Sequence, residues 1–368
     1  MRGKKILSII LAGLMTVLSV TGCASGQKDT GTSTDTTTAA VAPVAGEAGK
    51  KEEKKFRVAI VAVGTFGTQA FIDVALAGCQ RAEQELGIKL DKIENCQTAN
   101  AVDTLRSMAQ SDIDMFIMTS GAYADTIRQL SEEFPDKVFV SADMSMELIP
   151  NVISVGYREQ EAAFLAGAIA SAMTKTNKVA FIGGQPGGSM DRFEVGYSCG
   201  AKYANPDVEA SVAYVGNFND VNKAKELATM LYDQNNDWLV PAAGASNLGV
   251  FQASSEAGEE KYTLGAADGQ FHLMPDKIVA SQVKKIDNVC YMIIEDMMND
   301  KNYLGKSLDL GLKEEGVGIL YNPDEKIAGI IPDNTREKIE ELTQEIIDGK
   351  IVVPKTADEL AAFAYPVS

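Results

Sequence analysis

The chain has 368 residues and a formal net charge of −17, with 51 Asp and Glu against 34 Lys and Arg. That balance excludes a nucleic-acid partner, whose binding needs Lys and Arg clusters. One histidine, His272, and five cysteines without C-x-x-C spacing argue against His-based triads and His/Cys metal clusters, so no metal and no cofactor is expected.

Residues 1–22 read as a signal peptide. Arg2, Lys4 and Lys5 precede an apolar run, Ile6 to Thr21, that is short for a membrane span of about 20 residues. Val20-Thr21-Gly22-Cys23 has small residues before a cysteine, the pattern of a lipoprotein signal, with lipidation expected at Cys23. A plain secretory signal or an uncleaved anchor is the alternative. Diacylation supplies two chains, enough for stable anchoring, so the expected location is the extracytoplasmic face of the cell membrane. Residues 23–55 are Thr-, Ala-, Gly- and Ser-rich and then charged. Without apolar periodicity they read as a disordered tether.

From there the sequence alternates. Arg57–Val63 predicts a strand, Gln69–Leu86 a helix, Leu90–Ile93 a strand and Asn100–Gln110 a helix. Asp114–Met118 (strand), Gly121–Phe134 (helix) and Lys137–Ser141 (strand) follow. The stretch from Asn151 to Gly184 reads as strand, helix, strand and is taken as the crossover between two lobes. The pattern then restarts with helix Arg192–Tyr203, strand Glu209–Val215, helix Asp220–Gln234, strand Trp238–Ala243 and helix Leu248–Ala257. Strands Tyr262–Ala267 and Ile278–Val283, helix Asp287–Met298, strand Gly316–Leu320 and helix Thr335–Asp348 complete it. Short apolar strands separated by helices predict parallel sheets covered on both faces. The expected fold class is α/β, two doubly wound parallel-sheet lobes. The four cysteines Cys79, Cys96, Cys199 and Cys290 read as buried small apolar residues, with a disulfide as the alternative. Trp238 reads as core.

In open parallel sheets ligands sit beyond the carboxyl ends of the strands. There the sequence places Gly64-Thr65-Phe66-Gly67 with Phe71, then Thr119-Ser120-Gly121, and Asp143. From the second half come the Gly183–Gly188 loop, Gly216-Asn217-Phe218-Asn219, Ala243–Asn247, Asp268-Gly269-Gln270 and Lys284-Lys285. Aromatics, carboxylates, amides and glycine turns suit a small uncharged, polyhydroxylated ligand with a flat part. Phe71 and Phe218 as core, and Asp143 and Asp268 as helix N-caps, are equally open readings at this point. The glycine loops lack a P-loop's Lys-Ser/Thr and a G-x-G-x-x-G, and no G-x-S-x-G occurs.

The block LAGAIASAMTKTNKVAFIGG with Arg192-Phe193-Glu194 resembles the basic membrane protein (BMP) family of lipoproteins, also called purine nucleoside receptors. Gly216-Asn217-Phe218-Asn219-Asp220, Tyr232-Asp233-Gln234 and Ala242-Ala243-Gly244 with Leu248-Gly249-Val250-Phe251 support it. So do Val283-Lys284-Lys285-Ile286-Asp287 and Gly311 to Gly318, GLKEEGVG. The resemblance spans Phe56 to about Pro354. It implies a type I periplasmic-binding-protein fold with the cleft between lobes joined by a multi-strand hinge. The lobes implied are 56–158 with about 286–304, and 159–285 with about 305–354, followed by a tail, 355–368. It implies a non-enzymatic, monomeric substrate-binding protein of an ABC importer, closing on a nucleoside or nucleobase and working with permease and ATPase components. By position, Phe71 and Phe218 sandwich the base, Asp143 contacts it, and Asp268, Lys284 and Gly244 hold the ribose side.

The chain departs from that pattern in the first loop. The family usually shows an Asp near the end of strand one and an Asp-Asp-Lys-Ser-Phe-Asn run; here stand Ala62 and Gly67-Thr68-Gln69-Ala70-Phe71-Ile72. Thr65, Thr68 or Gln69 are the replacements. Riboflavin, a sugar or another small solute is therefore the alternative ligand, and a sensor subunit signalling to a membrane kinase the alternative role. An enzyme on the same fold, with Asp143 and Asp268 as an acid–base pair, is the third.

Overall fold

The computed structural model describes residues 55–67, 71–267, 269–299 and 301–366. The signal segment, Cys23 and the tether up to residue 54 lie outside the described residues, as do Thr68, Gln69 and Asp268.

In chain order the first elements are β1 (Arg57–Val61), α1 (Phe71–Leu86), β2 (Lys89–Ile93), α2 (Thr98–Ala109), β3 (Met115–Met118), α3 (Ala124–Glu133), β4 (Val138–Ser141) and β5 (Val152–Tyr157). Next come α4 (Glu159–Met173), β6 (Lys178–Gly183), α5 (Ser189–Ala204), β7 (Glu209–Tyr214), α6 (Val221–Asp233), β8 (Trp238–Ala242), α7 (Asn247–Glu256), β9 (Tyr262–Ala267) and β10 (Ile278–Lys284). The last are α8 (Ile286–Met298), β11 (Lys306–Leu310), β12 (Val317–Tyr321), α9 (Glu325–Ala328), α10 (Asp333–Ile347) and α11 (Ala357–Ala361).

The strands form two sheets, ordered β11-β5-β4-β3-β1-β2 and β12-β10-β9-β8-β6-β7. Every residue of β3 and β8 is buried, as expected of central parallel strands covered on both faces. All pairings are parallel except β12, which runs antiparallel on β10 at the sheet's edge. The chain passes between the sheets three times: from β5 into α4, from β10 into α8, and from β11 to β12. Helix α8 belongs with the first lobe because it packs on α1. At their contact a Cβ on Gly78 would collide with the backbone of Asp287.

One boundary differs from expectation. Strand β11 pairs with β5 in the first sheet, Lys306 opposite Ile153 and Leu310 opposite Tyr157. The third crossing therefore follows Leu310 rather than residue 304. Its sequence, KSLDL, lacks an apolar run because it is an edge strand with Lys306, Ser307 and Asp309 exposed.

Helix α4 is buried on all sides from Glu159 to Ser171, the position its all-round apolar composition demands. It meets α5 backbone to backbone. A Cβ on Gly167 would collide with the Tyr197 carbonyl, one on Gly196 with that of Gln160, and one on Gly200 with that of Phe164. Helix propensity alone would favour Gly200→Ala by about 1 kcal/mol. Forcing a methyl into a packed contact costs about 1–3 kcal/mol, and here the neighbour is backbone that cannot swing aside. With the cost at the upper end of that range, the expected net result is destabilisation by about 2 kcal/mol, read as a lowered denaturation midpoint with unchanged slope. A variant as stable as the parent would refute this account of the helix pair.

Trp238 is buried, its ring centroid 5.1 Å from that of Tyr262. Cys79, Cys96, Cys199 and Cys290 are buried and unbridged.

Candidate functional site

A cavity of about 390 Å³ opens beyond the carboxyl ends of the strands of both sheets. From the first lobe it receives Phe71, the opening residue of α1, Ser120 after β3, and Asp143 after β4. From the second lobe come Ser189, Met190 and Phe193 in the first turns of α5, and Phe218 and Asn219 from the loop after β7. The ends of β8, β9 and β10 add Ala242, Gly244, Ala245, Asn247, Ala266, Ala267, Gln270, Gln282 and Lys284. Such a volume falls in the range of small-molecule sites, roughly 300–1,000 Å³.

Phe218 is 37% exposed and is not core. Its ring is placed by glycines. A Cβ on Gly184 would lie on the ring, and one on Gly244 would sit 3.2 Å from the Phe218 Cβ. Gly244 itself has a φ of 60°, left-handed backbone that a side chain would strain. Phe71 is half-buried and packs against the main core, so it is both a wall of the cavity and part of the fold.

Between the lobes lies a chain of four charges. Lys284 Nζ is 2.5 Å from Asp143 Oδ1 and 3.1 Å from Glu159 Oε1, while Arg192 Nε donates to Glu159 Oε2 at 2.7 Å. Asp143 belongs to the first lobe, Glu159 and Lys284 to two of the crossings, and Arg192 to the second lobe. Lys284 also stands 5.0 Å from the centroid of the Tyr157 ring. Burial works against the Lys284 charge, but Asp143 and then Glu159 outweigh it and raise its pKa above the usual lysine range. For Asp143 burial is the larger effect and raises its pKa, with Lys284 pulling the other way. Neither group caps a helix; each holds the other in an ion pair at the cavity wall.

The second-lobe wall is fixed by amides. Asn247 Oδ1 accepts from Ala243 N at 2.8 Å, and Asn247 Nδ2 donates to Gln270 Oε1 at 3.0 Å. Ala266 N donates to the same oxygen at 3.1 Å. Ala267 and Gln270 hold left-handed backbone, φ 60° and 56°, uncommon for residues with a Cβ and concentrated at binding sites.

Of the residues singled out from sequence, the cavity brings together Phe71, Asp143, Phe218, Gly244 and Lys284. Thr68, Gln69 and Asp268 lie outside the described residues. Thr65 does not line the cavity: its hydroxyl is 3.1 Å from Asn95 Oδ1, and Phe66 N donates to Glu94 at 2.6 Å. Thr65 and Phe66 are held toward the residues that follow β2, which keeps Thr65 away from the cavity. Sequence reasoning missed Phe193 and Gln282 as lining residues, as well as Glu159. For Gln282 and Glu159 the signal available was a polar or charged residue inside an otherwise apolar element.

The comparisons with known proteins agree with this architecture. A family model described as ABC transporter substrate-binding protein PnrA-like matches residues 55–357. Basic membrane protein A2 of Borrelia garinii subsp. bavariensis is 30% identical over 311 residues, 83% of this chain and 90% of that protein. Basic membrane protein A of Borreliella burgdorferi is similar to the same extent, 30% over 311 residues. Among solved structures, an ABC transporter system solute-binding protein from Aeropyrum pernix K1 matches with a TM-score of 0.73 at 25% identity. That match covers 84% of this chain and 96% of that one.

Proposed function

This chain belongs to the PnrA-like family of ABC transporter substrate-binding proteins, and from that premise we propose that it binds a nucleoside or nucleobase, purine by preference, in the cavity between its lobes. Family membership carries a small-molecule ligand and permease and ATPase partners. The observation that supports the nucleoside reading is one aromatic from each lobe, Phe71 and Phe218, on a single cavity whose charged lining residues, among those described, are the mutually paired Asp143 and Lys284. A flat, uncharged ligand gains from the rings without disturbing the pair. The protein is a lipid-anchored monomer, held through Cys23 on the extracytoplasmic face and without catalytic activity. Among the described residues no helix is long and apolar enough to cross a membrane. Closure of the lobes needs only that ligand bind the closed form more tightly than the open one.

The test is a melting series on the whole chain in detergent, unfolded and refolded to strip carried-over solute. Guanosine, inosine, adenosine, free bases, riboflavin and pentoses form the panel. At a hundredfold excess over its dissociation constant a native-state ligand adds about 2.7 kcal/mol, roughly 5 °C here. A shift with a purine nucleoside supports the reading. A shift with riboflavin or a pentose alone keeps the clamp and replaces the ligand, consistent with the altered first loop.

A further inference from the structure

We infer that Gln282 is a specificity-determining residue at the floor of the cavity, where its Oε1 accepts a hydrogen bond from an N–H or O–H of the bound solute. The inference rests on the cavity being the ligand site and deepens that reading by naming a group the ligand must carry.

Gln282 lies two residues before Lys284 in β10 and shares its face of the strand. It lines the same cavity yet is only 1% exposed. Its Nε2 donates to the carbonyl of Pro241 at 3.2 Å. A carbonyl can only accept, so the carboxamide cannot be turned over, and Oε1 is the end left for another partner. That oxygen has no hydrogen-bond partner among the described residues. The nearby amides are engaged: Asn247 bonds Ala243 and Gln270, and Gln270 Oε1 serves both Asn247 and Ala266. Buried polar atoms are seldom left unpaired, and the space Gln282 borders is the cavity. A solute with a donor at this point is accepted, and one without it leaves the buried Oε1 unpaired, the arrangement that gives strong discrimination.

In a nucleoside the donor is either a ring N–H of the base or a pentose hydroxyl, and the experiment separates them. Calorimetric affinities of the whole chain and of Gln282→Met would be measured for inosine, 1-methylinosine, 2′-deoxyinosine, 3′-deoxyinosine and 5′-deoxyinosine. One analogue is expected to bind the parent protein about tenfold or more weakly than inosine. Gln282→Met should bind inosine weaker by a similar factor and no longer distinguish that analogue, a non-additive cycle. The analogue that loses affinity identifies the donor. If no deletion costs the parent more than threefold, the inference falls even should Gln282→Met fail to fold. An equal loss for all five ligands in Gln282→Met also overturns it, since packing alone does that. If the parent binds none of them, the nucleoside reading fails separately. Gln282 is then judged on the solute retained through native purification and quantified by mass spectrometry: tenfold less per mole of Gln282→Met upholds the inference, and an unchanged amount overturns it.

Discussion

Lys284→Met is expected to destabilise the protein by about 3–5 kcal/mol at neutral pH and to abolish ligand binding. The substitution keeps the side-chain stem and removes only the cation. It leaves Asp143, half-buried at the cavity wall, and Glu159, in the protein interior, without the ammonium that sits within 2.5 and 3.1 Å of them. Breaking a buried pair in this way is far more costly than losing an exposed one, which is worth about 0–1 kcal/mol. Arg192→Met, at the more exposed end of the chain of charges, should therefore cost much less.

The pH dependence follows from the direction of each shift. In the parent protein the Lys284 pKa is raised, so its contribution is complete at neutral pH and is lost only as pH climbs through the folded-state value, above the lysine range. In Lys284→Met the governing group is Asp143, whose pKa burial raises and whose counter-charge is gone. A folded-state pKa above the unfolded one means stability is recovered as pH falls and lost as pH rises through it. The deficit of the variant should thus be largest near pH 7–8 and shrink toward about pH 5. Urea midpoints for both proteins across that range check this. A deficit independent of pH, or one below about 1 kcal/mol, would show that the charges are screened rather than buried.

That pair also marks how far the sequence could be read. Fold class was legible because β1, β3, β8 and β10 are buried parallel strands and so appear as apolar runs with helices between them. β11 was not, because an edge strand with exposed Lys306 and Asp309 has no such run. Phe218 stood out as an aromatic in a Gly/Asn loop, and Lys284 and Asp143 as charges at strand ends. That Asp143 and Lys284 bind each other across 141 positions is a property of the three crossings, which no local pattern encodes. Thr65 was assigned by its place after β1, whereas hydrogen bonds to the loop after β2 decide where that turn goes. Gln282 carried a signal that was passed over: a carboxamide in the middle of VASQVK, a strand otherwise built for the interior.

Phe218→Ala is expected to weaken binding of a purine nucleoside about 30-fold, since a base–aromatic stack is worth about 1–3 kcal/mol. It should leave the ligand-free melting point nearly unchanged, because the ring is 37% exposed and fills no core position. Phe71→Ala should weaken binding comparably but also lower stability, because Phe71 packs on the main core. The sharper test leaves the aromatic in place. Gly184 has ordinary backbone angles, so alanine is allowed there, but its Cβ would occupy the volume of the Phe218 ring. Gly184→Ala should turn the ring from its place and reproduce most of the loss. In a Phe218→Ala background the same methyl meets no ring and should cost nothing further, so the two effects will not add. Affinities for guanosine or inosine across these four proteins decide it. A Phe218→Ala protein that binds within threefold of the parent would remove the stacking role. Additive losses would mean that Gly184 serves the loop backbone and not the ring.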